Sequence, residues 1–186
     1  MNKRISIKRL TLLGMFAAIT ILFIALYRAP LIPAAPYLEY DAGDVPIILM
    51  SVFLGPWYGL MLTIVASVLQ GIVFSSASGW VGVLMHIFAT GILSIVVGYL
   101  SAFLKKHISE TTAVIIAIVC GAAAMTAVMI PLNLVFTPLY SGMPMSAVRE
   151  LIVPAILPFN ALKAGINGVL SFLVWLPLRN PAKKFI

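Results

Sequence analysis

The chain has 186 residues, 62% apolar and 9% charged, with a formal charge of +7 and a mean hydropathy of +1.14. That balance excludes a water-soluble globule, and apolar runs without period-two alternation exclude a transmembrane barrel. The basic residues cluster where apolar runs end and do not interleave with aromatics, so the charge marks membrane topology and not nucleic-acid binding.

Lys3, Arg4, Lys8 and Arg9 precede an uncharged run from Leu10 to Tyr27. Eighteen residues exceed the usual signal-peptide core, and no small-x-small cleavage pattern follows, so a retained first helix over 7–27 is expected. Next comes a proline-rich segment, 28–44, with Pro30, Pro33, Pro36 and the acids Glu39, Asp41 and Asp44. With aromatics and a proline among the acids, it reads as an ordered external lid and not a calcium loop. No Asp, Glu, Lys or Arg falls between Asp44 and Lys105, which leaves room for more than two crossings at about 20 residues each. Gly55-Pro56 divides a short helix, 45–54, from a third, 56–74. Ser75-Ser76-Ala77-Ser78-Gly79 is a turn, and further helices are expected over 80–104, 111–134 and 158–178. The stretch 136–157, with Pro138, Gly142, Pro144 and Pro154, reads as a structured loop.

The expected fold is therefore an all-α integral membrane protein, one domain over 1–186, with a bundle of six transmembrane helices. Six crossings put the N- and C-termini on one side. That side then carries Lys3, Arg4, Lys8, Arg9, Lys105, Lys106, Arg179, Lys183 and Lys184, nine of the twelve basic residues. By the positive-inside rule both termini are cytoplasmic.

Lys163 is the only formally charged residue between Glu150 and Arg179. A cation within a span costs about 2.5–3.5 kcal/mol on insertion scales and needs a partner, a wet cavity or an escape to the interface. At about 100° per residue, Asn160, Lys163 and Asn167 share an arc of about 60° on one helix face. Asn133, near the outer end of the fifth helix, adds a polar group, and the set converges beneath the external loop as a small-molecule pocket. The competing arrangement has Lys163 snorkelling outward while each asparagine bonds a neighbouring helix. Trp80 is a weaker pocket candidate beside its role as an interfacial anchor. Met125 and Met129 read first as core filler. Gly14-x-x-x-Ala18, with Ala17 adjacent, gives the first helix a small-residue face where another helix can approach closely, inside the bundle or in a partner.

The chemistry of catalysis is not written here. The single Cys120 excludes internal disulfides. His86 has no Cys, Asp or Glu within helical reach for a metal site, so it reads as a packing residue. HExxH, a serine-histidine-acid set and the phosphate-binding GxxxxGK[ST] are all missing. An intramembrane enzyme with Lys163 or His86 as base is disfavoured because the polar groups are amides and not paired acids and bases. Nor do the spans carry inward-facing acids for a proton relay.

Tyr37-Leu38-Glu39-Tyr40-Asp41-Ala42-Gly43-Asp44-Val45-Pro46, then Phe53-Leu54-Gly55-Pro56 with Gly59, resembles the start of riboflavin-specific substrate-binding (S) components of energy-coupling factor (ECF) transporters. Pro158-Phe159-Asn160-Ala161-Leu162-Lys163 is similar to their sixth-helix motif, and Gly14 and Ala18 to their first-helix surface, with glycine where that motif has alanine. The resemblance implies a multi-pass protein of a bacterial cytoplasmic membrane that captures riboflavin at the outer face, without a cofactor, metal or enzymatic activity. It implies import with a transmembrane coupling subunit and two ATPase subunits. Asn133, Asn160 and Lys163 would hydrogen-bond the flavin, with Tyr40, Asp41 and Gly43 closing above; Asn167 joins them from the helical stripe. Gly14, Ala17 and Ala18 would dock the partner. The same fold serving thiamin or biotin is the sister reading.

Overall fold

The computed structural model describes residues 7–33, 35–74 and 78–185, the last three without their side chains. Lys3, Arg4 and the expected turn residues Ser75–Ala77 lie outside the described residues, as do the side chains of Lys183 and Lys184. In chain order come α1 (Ile7–Leu26), β1 (Arg28–Pro30), β2 (Glu39–Asp41), α2 (Asp44–Leu54), α3 (Pro56–Phe74) and α4 (Gly79–Leu104). Then follow α5 (Glu110–Ser141), the short α6 (Met145–Glu150), a π-helical turn (Ile152–Ile156) and α7 (Leu157–Phe185).

Five helical segments are long and apolar enough to cross a membrane: Ile7–Leu26, Pro56–Phe74, Gly79–Leu104, Glu110–Ser141 and Ile152–Ala182. α2 is different. Its 11 residues reach about 16 Å, roughly half of a bilayer core of about 30 Å. It lies inside the bundle, with every residue from Asp44 to Val52 buried, as expected of a helix that is apolar all round. It packs against α1, α3, α4 and α7, while α4 packs on α3 and α5, and α5 on α7. Gly55, at φ 101°, takes the chain out of α2 in a conformation that side chains disfavour, and Pro56 then opens α3.

Three clusters hold this arrangement. The largest joins α2, α4, α5 and α7 through Val45, Leu49, Leu93, Val97, Val114 and Trp175, among others. A second packs α1 on α2 and α3 through Leu13, Ala17, Ile47, Met50, Leu62 and Ala66. The third ties down the 28–44 loop: Ala35, Leu38 and Tyr40 bury against Val148, Ala155, Ile156 and Phe159. Outside, Met15, Leu22, Ile72, Val119, Val169 and Leu173 stand exposed, an apolar girdle suited to lipid.

Several expectations need correction. The loop 28–44 contains a two-stranded antiparallel hairpin, with Arg28 opposite Asp41 and Pro30 opposite Glu39, closed by an Arg28–Glu39 ion pair. α5 continues seven residues past Leu134, through Pro138, and holds Pro131 as well, so part of the expected 136–157 loop is helical. Prolines that would break a soluble helix are tolerated in membrane helices because neighbouring groups re-satisfy the backbone. In the last turn Ser141 Oγ donates to Thr137 O at 2.7 Å, and Gly142 in the left-handed conformation ends the helix. α7 likewise runs past Leu178, through Pro181.

Candidate functional site

The 28–44 loop caps one end of the bundle, and beneath it lies a cavity of about 620 Å³, within the range of about 300–1,000 Å³ typical of small-molecule sites. The loop supplies Tyr37 and Asp41, α3 supplies Ser67 and Gln70, and α4 supplies Met85 and His86. Met125, Met129 and Tyr140 line it from α5, and Phe159, Asn160 and Lys163 from α7.

Lys163 is the centre of a buried network. Its Nζ donates to Asp41 Oδ2 at 2.9 Å, and both side chains are more than nine-tenths buried. The other Asp41 oxygen accepts the Gly43 backbone N–H at 2.9 Å. One turn along α7, Asn167 uses its whole amide. Its Nδ2 donates to Asp41 O at 3.0 Å and Asp44 Oδ2 at 3.2 Å, and its Oδ1 accepts the Tyr40 hydroxyl at 3.0 Å. Asp44, fully buried at the first turn of α2, also accepts from Thr90 Oγ1 at 2.9 Å and lies 3.4 Å from His86 Nε2. Burying each carboxylate costs several kcal/mol unless hydrogen bonds and an opposite charge compensate it. Lys163, Thr90 and Asn167 provide both. Burial, and next the Asp41 carboxylate, hold the Tyr40 phenol above its ordinary pKa, so it remains a donor to Asn167. Burial likewise raises Tyr37.

The network extends across the floor to α3. Ser67 Oγ donates to Thr63 O at 2.6 Å and bonds His86 Nδ1 at 2.7 Å, which turns Nε2 toward Asp44. Ser67, His86, Asp44 and Asn167 therefore run from α3 through α4 and α2 to α7, with His86 Nε2 facing Asp44 but not hydrogen-bonded to it, and Asp41 joins Asn167 to Lys163.

Of the residues singled out from sequence, Asn160, Lys163 and Asp41 line the cavity. Asn160 also donates to Ile156 O at 2.7 Å, anchoring itself to the π-helical turn. Asn167 and Tyr40 lie behind this layer and hold the loop to α7. Gly43 contributes its backbone and packs against Ile24. Asn133 and Trp80 do not meet the cavity. Asn133 is fully buried and bonds within α5, to Met129 O and Thr137 Oγ1, and Trp80 is 66% exposed. On α1, Ala17 faces the interior while Gly14 and Ala18 face out. The spans are also not free of inward acids, since Asp44 is buried in α2, and His86 has an acidic neighbour after all. That neighbour lies 42 positions away on another helix, so no spacing rule reveals it. Gln70 has a signal in the sequence, since it is the one amide side chain of α3.

A helical bundle with a loop tethered over a polar-floored cavity defines a membrane-embedded binding protein. Residues 8–175 match the family described as ECF transporter, substrate-specific component, and the chain belongs to that family. It is 31% identical over 182 residues to the riboflavin transporter FmnP of Bacillus subtilis, covering 93% of each chain. It is 26% identical to the riboflavin transporter RibU of Streptococcus thermophilus, covering 93% of this chain and 83% of that one. A solved structure of the S component of a bacterial ECF transporter superposes with a TM-score of 0.76 at 27% identity, covering 93% of this chain and 96% of that one.

Proposed function

We infer that this chain is the riboflavin-binding subunit of an ECF-type importer in a bacterial cell membrane, not an enzyme. The observation that carries this reading is the cavity between the tethered loop and Asn160 and Lys163 of α7. Two similar proteins that share nearly the whole chain are riboflavin transporters. Riboflavin is neutral, with a flat, largely apolar ring system, a pyrimidine edge with two carbonyl oxygens, and a ribityl chain. Met125, Met129 and Phe159 offer the ring apolar surface, and Asn160 and Lys163 offer the edge donors. Lys163 retains two N–H groups after pairing with Asp41, so it can serve the loop and the ligand together.

In this reading six segments cross, α2 completing the set as a short inner segment, and both termini are cytoplasmic. The cavity then opens to the outside, and the 28–44 loop closes over captured vitamin through Tyr40, Asp41 and Gly43. Inward delivery falls to a transmembrane coupling subunit and two ATPase subunits, since this chain lacks a phosphate-binding loop. Gly14 and Ala18 supply the docking face. Trp80 and Asn133, away from the cavity, act through packing.

The test is direct. Protein purified in detergent should carry a yellow flavin spectrum, or quench the fluorescence of added riboflavin with one-to-one stoichiometry. Colourless protein that fails to quench riboflavin but binds thiamin or biotin would transfer the same fold to another vitamin.

A further inference from the structure

Among the described residues, three shielded polar atoms at the cavity wall have no hydrogen-bond partner, and one of them, His86 Nε2, faces the Asp44 carboxylate at 3.4 Å. The other two, Gln70 Oε1 on α3 and the Tyr37 hydroxyl in the loop, are shielded from solvent without a hydrogen bond, and both residues line the cavity. Buried polar groups are paired as a rule, and an exception calls for an explanation. An orphan acceptor facing a cavity is explained by a ligand that brings the donor.

The position of Gln70 narrows which donor that is. α3 packs on α1, α2 and α4, whereas α7 packs on α2 and α5, so the two helices form separate walls. The α7 wall holds the donors Lys163 and Asn160. The α3 wall offers the Gln70 acceptor among Gly71 and Phe74, beside Val83 of α4. Ser67, one turn away, is already engaged by Thr63 O and His86. With the Gln70 oxygen turned to the cavity, a ligand that satisfies both walls presents acceptors to α7 and an O–H or N–H donor to α3.

Riboflavin has two such poles. The carbonyls of its pyrimidine edge require donors, and its ribityl hydroxyls are donors that an amide oxygen accepts. We propose that Gln70 reads the ribityl chain and is a specificity-determining residue, separating flavins that carry the polyol from the bare ring system. This rests on the riboflavin reading above and adds the direction in which the ligand lies. The pyrimidine edge points to α7 and the polyol to α3.

The experiment compares riboflavin with lumiflavin, which keeps the ring and replaces the ribityl chain by a methyl group. Dissociation constants come from fluorescence quenching with the wild-type chain, Gln70→Met and Gln70→Glu. The wild type should prefer riboflavin. Gln70→Met should weaken riboflavin about tenfold, the usual effect of leaving a polar group unpaired, while lumiflavin affinity stays unchanged. Gln70→Glu keeps an acceptor and should retain most of the preference. Equal weakening of both ligands by Gln70→Met, or unchanged riboflavin affinity, overturns the proposal while the riboflavin reading stands. A wild type that binds neither flavin overturns both. If Gln70→Met does not fold, Gln70→Glu decides, and loss of the riboflavin preference there is the overturning result.

Discussion

Lys163 holds the loop as well as facing the cavity. Its ammonium is spent first on Asp41, and Asp41 belongs to the hairpin that covers the site. Removing one partner of a buried pair costs about 3–5 kcal/mol, because the remaining charge loses its compensation. Lys163→Met should therefore lower the thermal midpoint of the detergent-purified chain sharply, and Asp41→Asn by a comparable amount. The double variant Asp41→Asn/Lys163→Met should be milder than the sum, since it leaves no orphan at that position. Strict additivity in the double-mutant cycle would show that the two side chains do not interact. Tyr40→Phe tests the neighbouring tether. Losing the bond to Asn167 removes about 1 kcal/mol, so riboflavin should leave about fivefold faster in stopped-flow release, and an unchanged rate would detach Tyr40 from loop closure. The Asn160–Lys163–Asn167 stripe was legible because helical periodicity places residues on one face without tertiary information. Its partner Asp41 was not legible as a partner, because 122 positions separate it from Lys163. Asn133 bonds within α5, to Met129 O and Thr137 Oγ1, and composition cannot tell such an amide from one that faces a cavity.

The hairpin and α2 act as one device, because Gly43 joins them where chains crowd. A Cβ at position 43 would sit 2.8 Å from Ile24 Cγ1 and 2.9 Å from Asp41 Oδ1. Gly43 itself has an ordinary helical backbone, so the constraint is close approach and not φ. Gly43→Ala must push back Ile24 of α1 or dislodge the carboxylate that holds Lys163. The strain should cost about 1–3 kcal/mol, read as a lower thermal midpoint, and should weaken riboflavin binding as the hairpin shifts. If midpoint and affinity both matched the wild type, the crowding at this junction would be relieved too easily to matter. Helix ends show where local signals fail. The Gly55-Pro56 break was readable, since both residues act through their own backbone. Pro138 misdirected the end of α5, because a proline's effect depends on whether neighbouring groups satisfy the freed carbonyl, which is a tertiary property.

At the scale of the whole molecule, α1 is the peripheral helix, and its two faces differ in kind. Leu13, Ala17, Thr20 and Ile24 are its buried residues, recurring at helical spacing toward α2 and α3. On the other face, Gly14 and Ala18 are exposed, and a Cβ at Gly14 would meet nothing within 4 Å. Nothing among the described residues therefore requires a glycine there, and glycine in a helix interior is about 1 kcal/mol worse than alanine. A partner helix that comes close would require it, in keeping with the proposed docking of the coupling subunit. The two faces give opposite expectations for the same kind of change. Ala17→Leu inserts bulk among Leu62, Met50 and Ala66 and should destabilise the isolated chain by about 1–3 kcal/mol. Gly14→Leu should leave the isolated chain as stable as the wild type, or slightly more so, with unchanged riboflavin affinity. Its effect should appear only in the assembled importer. Overpacking that interface by about 1–3 kcal/mol would reduce co-purification with the coupling subunit about tenfold, and uptake into proteoliposomes with it. Full uptake by Gly14→Leu would place the docking surface on another helix, and a loss of riboflavin affinity would show that this face serves the bundle itself.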